Sequence, residues 1–158
     1  MTLASALHLS FPTQVNERAA RLVAGTVAAT LTIALITSQL WLLPVLAVGF
    51  WLRVGWGPLF SPLAKAAMWL APKVWPVKPV FGAPKRFAQG VGAVTLSLAA
   101  LSWALGALQV AQGLSGVIIL FASLEAGLSF CMGCWVYARL QEAGLIAPDA
   151  CVDCGVSS

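Results

Sequence analysis

The sequence predicts an all-α polytopic membrane protein, with four transmembrane helices and an interfacial helix in the loop between the second and third. Three observations carry this. First, 60% of the 158 residues are apolar and 9% charged, with mean hydropathy +0.91. A soluble domain has about a quarter of its residues charged, and one this small leaves too much surface wet to bury such an apolar chain. Second, the apolar runs are long enough to span: Leu22 to Ser38 carries no charge, against the ~17–25 residues a transmembrane helix needs. Third, the cations gather in three segments that four spans place on one side. These are Arg18 and Arg21, the Lys-rich stretch up to Arg86, and Arg139. The positive-inside rule makes that side cytoplasmic. The predicted location is therefore the inner (cytoplasmic) membrane, multi-pass, with both termini in the cytoplasm. No basic helix face is present, so the net charge of +4 does not point to nucleic acid.

In order, residues 1–18 form a cytoplasmic lead without a signal-peptide n-region or cleavage site. It ends in helix-start residues, Thr13 and Asn16, followed by Glu17. The membrane domain covers residues 19–143, with spans expected at about 20–38, 40–57, 87–112 and 115–139. Gln39 and Leu40 make the first turn. Arg53 interrupts the second span, for which a re-entrant hairpin is the alternative. In the basic loop 58–86, Ser61 and Pro62 pair as N-cap and first-turn residue of a short helix, with Lys65 and Trp69 suited to the interface. Pro72, Pro76, Pro79 and Pro84 then read as extended, helix-incompatible chain. The third span carries small residues such as Gly90, Gly92 and Ala93, which let membrane helices approach closely and suit a homo-oligomer. Gln112-Gly113 is the expected break before the fourth span, and residues 144–158 are a polar cytoplasmic tail.

Chemistry concentrates in the last third. At 1.5 Å per residue, Glu125 falls about 15 Å into the fourth helix and Arg53 about 18 Å into the second. A carboxylate and a guanidinium at similar depth are expected to pair inside the bundle. The pair either fixes helix register or tunes the nearby thiols. All four cysteines follow, as two C-x-x-C pairs, Cys131/Cys134 and Cys151/Cys154. On one ideal helix Glu125 lies about 120° from Cys131 and about 180° from Cys134, so contact needs a kink. Reactive C-x-x-C pairs sit at helix N-termini, where the dipole favours a thiolate; late in a helix the dipole opposes it. Either the helix restarts near Ser129, available as an N-cap, or a cation or metal stabilises the thiolate.

Three readings of the cysteines stand. The spacing fits a four-thiolate zinc or iron site made of Cys131, Cys134, Cys151 and Cys154. A dithiol relay would use the helix pair as the working dithiol, exchanging with a membrane substrate or quinone. The tail pair would shuttle to a soluble partner. Without either, the cysteines are small buried hydrophobes in a non-catalytic scaffold or small-solute conduit. The relay, a possible thiol–disulfide oxidoreductase, is preferred, with Glu125 and Arg53 in support.

Four segments carry a family resemblance: Phe11-Pro12-x-Gln14-Val15-Asn16-Glu17-Arg18, Phe60-Ser61-Pro62-Leu63, Pro84-Lys85-Arg86-Phe87-Ala88-Gln89-Gly90, and Leu124-Glu125-Ala126-x-Leu128-x-Phe130-Cys131-x-Gly133-Cys134-Trp135. Over about residues 10–147 the chain resembles the bacterial integral-membrane family called domain of unknown function 4395. The resemblance implies a compact multi-span protein that keeps company with thioredoxin-like and rhodanese-like sulfur-handling proteins, and so a sulfane-sulfur variant of the relay. It implies no established reaction, and the Cys151/Cys154 tail is not among its motifs.

Overall fold

The computed structural model describes residues 14–146. The lead through residue 13 and the tail from residue 147, with Cys151 and Cys154, lie outside the described residues. Strand β1 (Gln14–Asn16) leads into helix α1 (Glu17–Ile36). Asn16 caps α1 as expected, its side-chain oxygen accepting the Arg18 N–H at 3.0 Å. Ala19, Val23, Val27, Leu31 and Ala34 are buried, a single stripe at helical spacing. The hydroxyls of Thr26, Thr30 and Thr32 donate to carbonyls four residues back, so none is left without a partner on an apolar helix. A turn over residues 37–41 leads to α2 (Leu42–Trp56).

Within the basic loop the short helix expected from Ser61-Pro62 forms, and it continues through Pro72, a residue expected in extended chain. A 3-10 turn (Pro58–Phe60) precedes α3 (Pro62–Val74), which has Ser61 at its N-cap and Pro62 in the first turn. Ala64, Ala67 and Ala71 are buried, and α3 packs on α1. Strand β2 (Pro79–Phe81) pairs antiparallel with β1, Val15 opposite Val80. The junction is tied twice more, by the Glu17 N–H to the Lys78 carbonyl at 2.9 Å and by a Lys78–Glu17 ion pair at 2.7 Å. Helix α4 (Gly82–Ala104) begins before the expected extended chain ends. Pro84 falls in its first turn, where a missing N–H costs nothing.

The expected break at Gln112-Gly113 is also corrected. The chain turns at residues 105–107, and both residues lie inside α5 (Leu108–Leu128). Gly106 adopts φ 81°, the left-handed conformation open to glycine, and the Ala107 N–H closes the helix end on the Ser102 carbonyl at 2.8 Å. That is a Schellman-type stop. A glycine inside a helix costs about 1 kcal/mol, which Gly113 evidently tolerates. Helix α6 (Met132–Glu142) completes the described chain.

The helices neighbour one another in the order α2, α4, α5, α1, α3, and α6 lies along α4. α1, α4 and α5 are long and apolar enough to cross a membrane, and α2 is a shorter apolar helix. Their outward side chains include Ile33, Val48, Leu98, Leu101, Val110 and Leu120, all well exposed and compatible with a lipid bilayer. Small residues allow the close approaches. A Cβ on Gly133 of α6 would lie 2.5 Å from the Ala88 Cα of α4. Gly133→Ala should therefore destabilise the fold by about 1–3 kcal/mol through overpacking. Gly116→Ala, with nothing within 4 Å of the added carbon, should not. Unfolding titrations of both variants in mild detergent check this.

Candidate functional site

The fourth helix expected at 115–139 is two helices. α5 closes at Leu128, Ser129 takes φ 58° and ψ 17°, and α6 starts after Cys131. The left-handed conformation is uncommon for a residue other than glycine, and the break leaves the last α5 carbonyls without intrahelical donors. Arg21 of α1 supplies them. Its Nε and Nη2 donate to the Ala126 carbonyl at 3.0 and 2.7 Å, and Nη2 also to the Gly127 carbonyl at 3.1 Å. In apolar surroundings such carbonyls are costly to leave unpaired, so Arg21 holds the break in place. A cation at a helix C-terminus also meets the negative end of the dipole.

The break relocates the C-x-x-C pair. Cys131 itself is the N-cap of α6, its Sγ accepting the Cys134 N–H at 3.3 Å. Of the two options open in the sequence, the helix restart is therefore observed, with Cys131 rather than Ser129 as the cap. The two cysteines are paired as a disulfide with Cα atoms 5.2 Å apart, inside the usual range of about 4.4–6.8 Å. The ideal-helix angles between Glu125 and the thiols lapse, because the residues sit on different helices.

Glu125 is also displaced from its expected depth. Because α5 begins at Leu108, Glu125 lies in the last turn of its helix rather than at mid-membrane. Arg53 likewise lies in the last turn of α2. The two occupy the same end of the bundle, but the expected Arg53–Glu125 ion pair is not formed. Lys85, in the first turn of α4, binds the Glu125 carboxylate, and the two side chains are 11% and 20% exposed. The physical reason is helix order: α4 lies between α2 and α5, so its lysine reaches Glu125 first. Arg53, 2% exposed, donates Nε to the Gly49 carbonyl at 3.1 Å and lies over the Phe50 ring, 4.2 Å from the centroid.

These groups share a cavity of about 650 Å³ to which all six helices contribute. Its walls are apolar, among them Val23, Val27, Met68, Ile118 and Phe121. Its polar lining includes Arg53, Lys85, Gln89, Glu125 and Cys131. The Gln89 Oε1 is buried and has no hydrogen-bond partner among the described residues. Sequence reasoning missed Lys85, Arg21 and Gln89 as site residues. In the sequence Arg21 and Lys85 read as orientation signals, and Lys85 and Gln89 stand in a family-resembling segment without a role of their own. Among the described residues no three His, Cys, Asp or Glu side chains gather as metal ligands. The four-cysteine zinc or iron reading turns on Cys151 and Cys154, outside those residues.

A family model described as a domain of unknown function (DUF4395) matches residues 15–142, from β1 to the end of α6. Comparison with curated proteins and with solved structures gives no match.

Removing one partner of the Lys85–Glu125 pair strands the other in a poorly hydrated place. Glu125→Gln should cost about 3–5 kcal/mol, and the apolar double variant Lys85→Met/Glu125→Leu should recover most of it. A double-mutant unfolding cycle in mild detergent reads both.

Proposed function

The chain belongs to the family described as a domain of unknown function (DUF4395), a description that assigns no reaction, and we propose from its chemistry that it is a membrane thiol–disulfide relay. Cys131 and Cys134 cycle between disulfide and dithiol. The observation that carries this is the seat of Cys131, at the N-terminus of α6 and on the cavity wall. There the Cys134 N–H and the positive end of the helix dipole favour a thiolate, the species that attacks and leaves in exchange. Lys85 and Arg53 outnumber Glu125 on the cavity wall, which adds a favourable field for an anionic sulfur.

In the exchange, a thiolate of a soluble dithiol partner attacks one sulfur of the Cys131–Cys134 disulfide. A mixed disulfide forms and the other cysteine leaves as thiolate. The partner's second thiol then displaces it, so two electrons and two protons pass from partner to pair. A thioredoxin-like protein supplies such a dithiol. A rhodanese-like partner would instead deliver a sulfane sulfur to the same thiolate. Cys151 and Cys154 are positioned in the sequence to shuttle between the pair and that partner.

In this reading α2 is a fourth crossing, its fifteen residues rising about 22 Å and lengthened by the flanking turns. α3, with exposed Trp69 and with Trp75 just past its end, lies in the interface. The cationic end, with both termini, faces the cytoplasm of the inner membrane.

The test mixes the oxidised protein in lipid nanodiscs with a reduced thioredoxin-like protein, then alkylates and weighs both. In a Cys151→Ser/Cys154→Ser background the Cys131–Cys134 disulfide should be reduced as the partner is oxidised, and a further Cys131→Ser or Cys134→Ser change, which leaves no disulfide to attack, should abolish the exchange. A Cys131–Cys134 disulfide that stays oxidised in that background, in excess reduced partner, would refute the relay.

A further inference from the structure

The geometry points to a second substrate for the same pair: we propose that the cavity beside Cys131 binds a lipid-soluble quinone, which takes two electrons from the Cys131–Cys134 dithiol. This rests on the relay reading above.

Size and polarity argue first. At about 650 Å³ the cavity lies within the range of small-molecule and cofactor sites, about 300–1,000 Å³, which are apolar with a few placed polar groups. Phe50, Phe87 and Phe121 line it and offer ring faces and edges to a flat aromatic guest. A small inorganic anion would leave most of this apolar volume empty. A ring-bearing guest fills it.

The unspent hydrogen-bonding groups argue second. Arg53 carries five N–H donors, and its one hydrogen bond among the described residues is from Nε to Gly49. Lys85 has three donors, with Glu125 as its hydrogen-bonded partner. Such donors suit a carbonyl oxygen. Gln89 presents the opposite need, a buried Oε1 lacking a donor, which the hydroxyl of a quinol satisfies. The cavity lining thus holds donors for the oxidised ring and an acceptor for the reduced one.

The step balances. The Cys131 thiolate adds to a ring carbon of the quinone, forming a carbon–sulfur bond. The Cys134 sulfur, giving up its proton, then attacks the Cys131 sulfur. The sulfur–sulfur bond forms as the carbon–sulfur bond breaks, leaving the electron pair on the ring. Two protons, one from each thiol, end on the two ring oxygens. Dithiol and quinone have become disulfide and quinol.

Decylubiquinone is the probe, with the full chain in lipid nanodiscs. Binding is read on the fully oxidised protein, whose disulfides have no electrons to give, so it is independent of electron transfer. Saturable binding is expected, weakened roughly tenfold or more, the equivalent of about 1.4 kcal/mol or more, when Ala122→Phe fills the cavity. Val23→Phe, from the α1 side of the cavity, should act likewise, in case either variant folds poorly. Leu98→Ala, on the exposed outer face, should leave binding unchanged. Reduced wild type, mixed anaerobically with the probe, should form one quinol per disulfide. Absence of saturable binding, or binding indifferent to both cavity-filling variants, overturns the site while leaving exchange with a soluble dithiol intact. Binding without quinol formation overturns the electron transfer. Loss of exchange with the soluble dithiol while quinone binding persists overturns the relay instead.

Discussion

Backbone carbonyls at a helix end must find donors, and in an apolar medium they cannot borrow them from water. The arrangement at the polar end of this bundle follows from that need. Arg21 supplies the donors for α5, and Arg86 does the same for α2, its Nε reaching the Val54 carbonyl at 2.9 Å. With its carbonyls satisfied, α5 can stop at Leu128, Ser129 can turn left-handed, and a new helix can begin under Cys131. Without Arg21 the lower-energy course would be to continue the helix, which would bury the C-x-x-C pair late in a dipole that opposes a thiolate.

The same end holds the ionised groups that a bilayer interior would penalise. The apolar stretches between Leu22 and Leu52 and between Phe87 and Leu124 contain none. Glu125 and Arg53 therefore enter the cavity from the last turns of their helices, and Lys85 from the first turn of its own. Close contacts between small residues, Gly133 on Ala88 and Gly25 near Ala126, bring α6 and α1 against this cluster. The thiol, the ion pair and the apolar space thus adjoin one another because the helices can pack backbone to backbone.

Much of the fold is legible in the sequence, since long uncharged runs and local caps depend only on neighbouring residues. Asn16 and the Ser61-Pro62 start are read correctly for that reason, as are three of the long apolar helices. Arg53 and Glu125 do share one end of the bundle, at the last turns of their helices rather than at the mid-membrane depth the apolar runs suggest. The misreadings all depend on something hydropathy does not carry. Gly106 and Gly113 look equivalent in composition, and only the left-handed φ at Gly106 distinguishes the turn. Nothing in Ser129 announces a left-handed residue whose cost is met by an arginine more than a hundred positions away. The partner of Glu125 depends on which helix stands beside α5, so depth alone points to Arg53 whereas adjacency selects Lys85.

The central claim is that the Cys131–Cys134 pair cycles between disulfide and dithiol in the membrane. It is tested most directly by quenching living cells in acid, alkylating the denatured protein and weighing the peptide that carries both cysteines. An oxidised fraction that rises and falls with the cell's oxidant supply is the expected result. A pair that stays fully reduced, or fully oxidised, whatever the supply would contradict it.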